Sequence, residues 1–340
     1  MDEETLTLLA QLAPDLMERV QLRAMVLERI FALQPVGRRA LAQRLHIPER
    51  EIRSVCDALK EDGLIAVAAS GMATTEKAAS VLPGARDIVR RRSGLGLLEQ
   101  HLARALNVGS VCVVSGNADK DPEVLNEVGR MAASRLLRLL TGGMILTVSG
   151  GTTVAAVARA MHPGASMNIR VLPARGGVGM AVETQAGTLA AKFARALGGT
   201  YSLVHLPDAV PPEALKELIK LPEIGEPLRA LHQTDVLLYG VGRADVMARN
   251  RALPEAEIEG ILRMGAVAEA VGCYFDAAGR LLFQASGVGL TAEQVSKVPL
   301  IAAVAAGEEK ARAILSVARH HRHELLVIDE GAARALEQLL

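Results

Sequence analysis

The loop Ser149-Gly150-Gly151-Thr152-Thr153 has the clearest chemical potential in the sequence. It follows the apolar run 144–148 and leads directly into a helical pattern of apolar residues. Glycines let the backbone approach a ligand closely, and the first N–H groups of a helix have no partner within the helix, so such a loop can bind an anion. An ordinary strand-to-helix turn with a threonine N-cap explains the same residues, and the loop alone does not distinguish the two interpretations.

Other strand-to-helix junctions in this half of the chain also carry glycines or polar side chains. They are Arg175-Gly176-Gly177, Glu183 with Gln185, Gly240-Val241-Gly242 with Arg243, Arg249 and Arg251 downstream, and Gly307-Glu308-Glu309-Lys310. The guanidinium of Arg175 offers a planar fork of donors that matches a phosphate. Lys310 is predicted in a first helical turn, where a bound anion would offset the unfavourable position of a cation. The alternatives are a solvated lysine at 310 and helix capping at 183. The set predicts a ligand with two phosphates, or with one phosphate and a polyol.

Alternating strands and helices must position these junctions. Seven apolar runs predict strands at 110–116, 144–151, 169–177, 200–207, 235–242, 300–307 and 323–330, with helical patterns between most of them. This alternation predicts an α/β fold with a doubly wound, mostly parallel sheet, in which ligands bind at the carboxyl ends of the strands. Residues 265–290 break the rhythm. The turn Asp276-Ala277-Ala278-Gly279 predicts an inserted antiparallel hairpin there.

The first 83 residues have a different character, because their pattern is almost wholly helical. Helical stretches at 38–45 and 49–61 are joined by a brief turn, and two short strands are predicted about Ser70-Gly71. This arrangement predicts a winged helix-turn-helix, although a small helical packing domain is the alternative. The residues expected to contact DNA are Arg39, Arg50, Arg53 and Ser54.

Composition sets limits on the class of protein. The chain has 340 residues, of which 50% are hydrophobic, and its 38 basic and 38 acidic residues cancel. This balance argues against a uniformly cationic nucleic-acid binder but permits one basic face. We expect a domain at 1–83 that binds DNA, a basic linker and helix at 84–107 that Pro83 and Gly84 punctuate, and a ligand-binding domain at 108–340.

Other classes of site and location lack a signal in the sequence. The three cysteines are far apart and are expected to be reduced and buried. No metal-ligand spacing appears, and His320, His321 and His323 are interpreted as surface residues. No signal peptide or long uncharged apolar run is present, so a cytoplasmic protein that does not enter a membrane is expected.

The chain resembles the SorC/DeoR-type family of bacterial sugar-sensing repressors, whose ligand domain is similar to sugar-phosphate isomerases and deaminases. The resemblance covers essentially the whole chain and lies in TVSGGTT (147–153), LPARGGVG (172–179), ETQAGTLAAKFA (183–194), DVLLYGVGRADVMA (235–248), AVAEAVGCYFDAAG (266–279), IAAVAAGEEKARAI (301–314) and LLVIDEGAA (325–333). Ser149 stands where the family pattern has a threonine, a change that keeps the hydroxyl.

This resemblance implies a repressor of a central glycolytic operon that needs no cofactor and senses fructose-1,6-bisphosphate. By position, the effector would be held by Ser149, Gly150, Gly151, Thr152, Arg175, Gln185, Arg251, Glu269 and Lys310. Glu269 suits a sugar hydroxyl, since a carboxylate accepts hydrogen bonds from polyols and repels phosphate. Composition alone would interpret it as a surface residue.

Two classes of function remain open at this point, since one fold hosts both regulators and isomerase-type enzymes. The N-terminal 80 residues, which an isomerase does not need, favour a regulator of double-stranded operator DNA. No well-placed acid and base pair is evident either. A pentose or deoxyribose phosphate is an alternative effector. Because helix-turn-helix proteins commonly pair on two half-sites, a homodimer or homotetramer is expected, and the resemblance favours the tetramer.

Overall fold

The chain folds into two compact units, Met1–Gly96 and Leu97–Leu340. The computed structural model describes residues 8, 11–45, 47–92, 94–163, 166–176, 181–203, 206, 210, 212–251, 253–285 and 287–340, with the backbone alone at 86–92. The division after Gly96 falls inside the stretch 84–107 that was predicted to connect two domains.

The first unit contains a helix-turn-helix followed by a two-stranded wing. Its helices are α1 (Pro14–Leu33), α2 (Arg38–Leu45), α3 (Glu49–Glu61) and α4 (Glu76–Arg92), and its antiparallel strands are β1 (Ile65–Ala68) and β2 (Gly71–Thr74). Helix α3 buries Ile52, Val55, Cys56 and Leu59 at three- and four-residue spacing, which fixes one face of the helix on the core. The wing is attached to the segment before α2 by mutual backbone hydrogen bonds between Val36 and Met72.

Helix α4 differs from the sequence-based expectation. Pro83 and Gly84 were expected to mark the beginning of a linker, but the helix continues through both residues to Arg92. A proline inside a helix removes one backbone hydrogen bond. The buried side chains of Ala78 and Leu82, which belong to the core of this unit, secure the same helix. Tertiary packing therefore outweighs the local signal here.

The second unit is built on a seven-stranded parallel sheet, in agreement with the predicted fold class. Its strand order is β3-β13-β12-β7-β4-β5-β6, where the strands are β3 (Ser110–Val114), β4 (Ile145–Val148), β5 (Arg170–Pro173), β6 (Thr200–Tyr201), β7 (Val236–Gly240), β12 (Leu300–Val304) and β13 (Leu325–Asp329). The helices of this sheet are α5 (Leu95–Ala105), α6 (Glu123–Leu139), α7 (Thr152–Ala160), α8 (Ala186–Leu197), α9 (Pro212–Leu218), α10 (Pro222–Leu231), α14 (Ala311–His320) and α15 (Glu330–Glu337).

The order of the strands reverses between β4 and β7. From β4 the chain proceeds to β5 and β6 on one side, whereas from β7 it proceeds to β12 and β13 on the other. Strands β4 and β7 pair directly, with Val148 opposite Leu238. In open parallel sheets such a switch point leaves a crevice at the carboxyl ends of the two strands, where ligands bind.

The inserted antiparallel unit predicted at 265–290 is present and begins at this switch point. Its strands β8 (Gly242–Arg243), β9 (Ala266–Ala270), β10 (Cys273–Asp276) and β11 (Leu281–Gln284) pair in the order β11-β10-β9-β8. Helices α11 (Ala244–Asn250), α12 (Glu255–Arg263) and α13 (Ala292–Val295) accompany them. The predicted turn closes with a hydrogen bond from the Gly279 N–H to the Asp276 carbonyl. Since β8 follows β7 after one residue, the insert lies beside the switch point.

The interpretation of the histidines before β13 as surface residues is wrong. His323 is 2% exposed, and the rings of His320 and His321 are half-buried. The Tyr239 hydroxyl, which is buried on β7, hydrogen-bonds with Nε2 of both His321 and His323. Burial lowers the pKa of His321 to about 4 and that of His323 to about 3, so both rings are neutral at pH 7. A buried partner for these rings could not be read from the sequence.

The structure also describes the cysteines, the residues that could bind metal ions and the longest apolar helices. All three cysteines are buried and free, as expected. Within the described ranges, no group of three or more histidine, cysteine or carboxylate side chains could hold a metal ion. No helix in the described part of the chain is both long and apolar enough to cross a bilayer.

Candidate effector site

A cavity of about 340 Å³ lies at the carboxyl ends of the central strands. This volume is at the lower end of the ~300–1,000 Å³ typical of small-molecule sites. All nine residues predicted to hold an effector line this cavity: Ser149, Gly150, Gly151, Thr152, Arg175, Gln185, Arg251, Glu269 and Lys310. They follow β4, β5, β7 and β12 or lie in the inserted sheet, so the switch point brings together residues that are far apart in sequence.

The Ser149 loop is fixed between the two central strands. The Ser149 N–H donates to the Leu238 carbonyl at 2.9 Å, and its Oγ accepts from the Gly240 N–H at 3.1 Å. The loop therefore bridges the ends of β4 and β7.

Gly151 shapes the end of this loop that was predicted to bind an anion. Its φ of +117° is one that side-chain-bearing residues rarely adopt, and it is the N-cap residue of α7. The first intrahelical bond runs from the Ala155 N–H to the Gly151 carbonyl, so the N–H groups of 152–154 have no acceptor within the helix. Because Thr152 and Thr153 line the cavity, this helix terminus offers donors and a positive dipole end to an anion.

Arg175 is held by the inserted sheet. Its side chain is buried, and Nη2 donates to the Ala285 carbonyl at 3.0 Å. Arg175 also forms an isolated antiparallel bridge with Gly289. Gly272 has a φ of +80°, and a Cβ at that position would lie 2.4 Å from Nη1 of Arg175. The guanidinium therefore packs directly on the Gly272 backbone, which leaves no room for a side chain there.

Glu269 is buried, so its interpretation as a surface residue from composition is wrong. It is 3% exposed and accepts from Nη2 of Arg251 at 2.8 Å and from the Gly272 N–H at 2.6 Å. A buried carboxylate is tolerated when it is paired and hydrogen-bonded in this way. Arg251 is the C-cap residue of α11, so the pair joins that helix to β9 at the wall of the cavity.

Lys310 lies in the short 3-10 segment Glu308–Lys310 between β12 and α14. Burial lowers the pKa of the Lys310 ammonium, and the nearby carboxylates of Asp119 and Asp329 oppose that effect. Asp329 is itself buried and accepts from the N–H groups of Ala118 and Gly307. A bound phosphate would act in the same direction as these carboxylates and favour the charged ammonium.

Gln185 and Glu183 have different positions. Gln185 occupies the N-cap position of α8 and lines the cavity. Glu183 is exposed in the 3-10 segment Val182–Thr184 and is not among the described residues of the cavity wall. Glu183 is therefore not the N-cap residue of α8.

Asp119, Arg243 and Glu309 also line the cavity, although they were not among the nine residues predicted to hold the effector. Asp119 follows β3, and the rule that ligands gather at carboxyl ends of strands was the only available signal for it. Arg243 and Glu309 stand in junctions that were recognised, but nothing in the sequence shows that their side chains form an ion pair.

The residues predicted to contact DNA are all exposed on the helix-turn-helix. Arg39 belongs to α2, and Arg50, Arg53 and Ser54 lie in the first two turns of α3. Glu49 forms ion pairs with Arg39 at 3.6 Å and with Arg53 at 3.7 Å. Exposed pairs of this kind contribute little to stability, so the arginines can exchange Glu49 for another anion.

Comparison with known proteins relates both units to transcriptional regulators. The family described as "Putative sugar-binding domain" matches residues 91–337, and the family described as "CggR N-terminal DNA binding domain" matches residues 20–89. The central glycolytic genes regulator of Bacillus subtilis (strain 168) is 36% identical over 327 residues, which cover 96% of each chain. Its counterpart in Priestia megaterium is 37% identical over 328 residues, with the same coverage.

Solved structures give the same result for the fold. A "putative SorC family transcriptional regulator" from Enterococcus faecalis is 30% identical with a TM-score of 0.66, and the match covers 71% of this chain and 99% of that one. The full-length sorbitol operon regulator SorC from Klebsiella pneumoniae has a TM-score of 0.67 at 19% identity over 89% of this chain and 94% of its own, which supports the fold alone. These relatives are regulators, which decides against the enzyme alternative. The chain therefore belongs to the SorC-type family of sugar-binding transcriptional regulators and is a relative of the central glycolytic genes regulators.

Proposed function

We propose that the chain is a repressor of a central glycolytic operon, and that fructose-1,6-bisphosphate relieves or remodels its binding to operator DNA. The observation that carries this proposal is the cavity at the switch point, whose wall includes every residue predicted for the effector. The choice of a central glycolytic operon is supported by the chain's 36% and 37% identity to two central glycolytic genes regulators.

The chemistry of the cavity wall suits a phosphorylated polyol. The start of α7, Arg175 and Lys310 supply donors and positive charge for phosphate groups. Glu269 supplies an acceptor for a hydroxyl, and its carboxylate is already fixed by Arg251 and Gly272. A ligand with phosphates at both ends of a sugar uses donors and acceptor together.

The proposal is tested by calorimetric titration of the full chain with fructose-1,6-bisphosphate, fructose 6-phosphate, deoxyribose 5-phosphate and inorganic phosphate. We expect the bisphosphate to bind most tightly. Arg175→Ala should weaken this binding by roughly 2–4 kcal/mol, because it removes a charged donor from a desolvated phosphate. A gel shift with operator DNA should show that the bisphosphate changes the complex formed by the wild-type chain and has much less effect on the variant.

Arg170→Ala is the matched control, because Arg170 lies at the opposite end of the same strand and pairs with Glu226. It should retain wild-type affinity for the bisphosphate. Thermal melts of both variants separate loss of folding from loss of binding. If the wild-type chain binds none of the sugar phosphates, the effector assignment is wrong; if a pentose phosphate binds most tightly, the identity of the effector is wrong.

A further inference from the structure

Arg243 is a cation at the cavity wall that the family resemblance did not assign to the effector. It lies on β8, directly after the end of β7, and its side chain is 37% exposed. Asp245 holds one edge of its guanidinium, because Nε donates to Oδ1 at 3.1 Å and Nη2 donates to Oδ2 at 2.8 Å. This two-point contact fixes the plane and direction of the guanidinium.

Nη1 of Arg243 donates to the carboxylate of Glu309. Glu309 is 65% exposed, lines the same cavity, and stands next to Lys310 in the short segment after β12. The Glu309 carboxylate thus accepts from the part of the Arg243 guanidinium that Asp245 does not hold. Both residues face space that a ligand of the cavity would enter.

The two contacts of Arg243 differ in how easily they are exchanged. Asp245 is the more enclosed carboxylate, at 30% exposure, and the hydrogen-bonded Arg243 holds the pKa of Asp245 below its ordinary value. The exposed pair with Glu309 is of the kind that contributes little to stability. A phosphate dianion offers Arg243 more charge and more acceptor oxygens than one carboxylate. Exchange of Glu309 for a phosphate is therefore favourable, while Asp245 remains bound.

We propose that Glu309 is a built-in stand-in for a phosphate group of the ligand and that Arg243 exchanges Glu309 for that phosphate when the ligand binds. This inference rests on the proposed function, since it assumes a phosphorylated ligand in the cavity. It adds Arg243 to the ligand-binding residues and makes Glu309 a competitor that sets the affinity. The two residues therefore have opposite effects on binding, although they are partners in one ion pair.

The test is a double-mutant cycle, with fructose-1,6-bisphosphate titrated into the full chain by calorimetry. Arg243→Gln should weaken binding about tenfold, because it removes a charged donor and keeps most of the aliphatic stem. Glu309→Gln should tighten binding about threefold or more, because it removes the competing carboxylate and its repulsion of the ligand. In the double variant the gain from Glu309→Gln should largely disappear, since that gain depends on Arg243.

Two control variants match these changes in charge and neighbourhood. Arg249→Gln alters an exposed arginine that also pairs with Asp245, and Glu308→Gln alters the residue beside Glu309, whose carboxylate pairs with Lys120. Neither control residue is among the described lining of the cavity, and both variants should bind like the wild-type chain. Thermal melts establish that every variant is folded.

The possible results separate this inference from the proposed function. If the wild-type chain binds the bisphosphate but Glu309→Gln weakens binding, or if both variants bind like their controls, the exchange is refuted and the effector assignment stands. If Glu309→Gln tightens binding equally with and without Arg243, the carboxylate acts only as a general repulsive charge and the exchange is refuted as well. If the wild-type chain binds no sugar phosphate, both the effector assignment and the exchange are refuted.

Discussion

The cationic side chains of the cavity are positioned by different kinds of neighbour. Backbone carbonyls accept hydrogen bonds from Arg175, and the Glu269 carboxylate accepts one from Arg251. Lys310 is largely buried and lies near the carboxylates of Asp119 and Asp329. The arginines keep their charge whatever the cavity contains, because the guanidinium does not lose its proton in proteins. The lysine is the member whose protonation responds to its surroundings. Its charge should therefore be linked to ligand binding.

We expect effector binding to be accompanied by proton uptake at Lys310 in alkaline solution. Burial lowers the pKa of Lys310 from its ordinary value of 10.5 in the free chain, and a bound phosphate raises it again. Between these two pKa values the free chain carries less charge than the complex, so affinity falls as pH rises through the lowered pKa. Calorimetry at an alkaline pH below 10.5, in buffers of different ionisation enthalpy, measures the uptake, since the phosphates, with a second pKa of about 6, are fully ionised there.

Lys310→Arg should abolish this proton uptake and retain binding, because a guanidinium keeps its charge at that pH. Lys297→Arg is the matched control, since Lys297 is 70% exposed and pairs with Glu293. Uptake of the same size in Lys310→Arg and in the wild-type chain would contradict the assignment to Lys310.

Residue types and spacing predicted most of the candidate site, and the missing part has a physical reason. Junction glycines and Arg175 carry a local signal, whereas Glu269 was assigned only through family resemblance. The pairing of Arg243 with Glu309 joins residues 66 positions apart and has no local signature. The buried His323 likewise hydrogen-bonds with the Tyr239 hydroxyl, which is 84 positions away in sequence. Contacts between distant segments follow from strand order, which a single sequence does not specify.

At the scale of elements, apolar runs located all seven strands of the sheet, but their order could not be predicted. The run lengths and the helices between them determine a parallel sheet. The reversal between β4 and β7, which creates the crevice, rests on a pairing between strands that are far apart in sequence. In the first unit, the helical patterns and the turns between them correctly predicted α2, α3 and the wing, while the buried face of α4 overrode the proline at 83.

Helix α3 is expected to enter the major groove of operator DNA with its N-terminal turns, where Arg53 is exposed. Replacement of Arg53 by alanine should weaken operator binding by about 1–3 kcal/mol and relax the preference at one base pair if the arginine reads a guanine edge. If Arg53 contacts only phosphate, binding should weaken alike on all sequences and the salt slope should fall by about one. Fluorescence anisotropy with operator and scrambled duplexes at several salt concentrations distinguishes the two contacts.

Arg19→Ala is the control for this helix, since Arg19 is exposed on α1 outside the helix-turn-helix. It should leave the preference for the operator unchanged. Wild-type affinity of Arg53→Ala on every duplex and at every salt concentration would remove Arg53 from the DNA interface.

At the scale of the whole molecule, sensing and DNA recognition belong to different units of the chain. The helix-turn-helix lies in Met1–Gly96, and the described residues of the cavity wall all lie in Leu97–Leu340. A ligand can change operator affinity only by binding differently to two states of the protein that differ in their affinity for DNA. Helix-turn-helix regulators commonly bind two half-sites as symmetric pairs. A change in the arrangement of the paired helix-turn-helix units is therefore sufficient to couple ligand binding to operator affinity.

We expect fructose-1,6-bisphosphate to affect binding to a two-half-site operator much more than binding to an isolated half-site. On one half-site only the contacts of a single helix-turn-helix count, and the cavity proposed for the effector lies in the other unit of the chain. On two half-sites, the binding free energy also depends on the spacing between the paired helix-turn-helix units. A shift in the populations of their arrangements therefore changes the affinity for the operator. Gel-shift titrations of both DNAs, with and without effector, measure the difference. The Arg175→Ala variant is the control, because its response to the effector should be reduced on the two-half-site operator while its DNA affinity without effector stays near wild type. Equal sensitivity of the two DNAs to the effector would rule out coupling through the geometry of the oligomer.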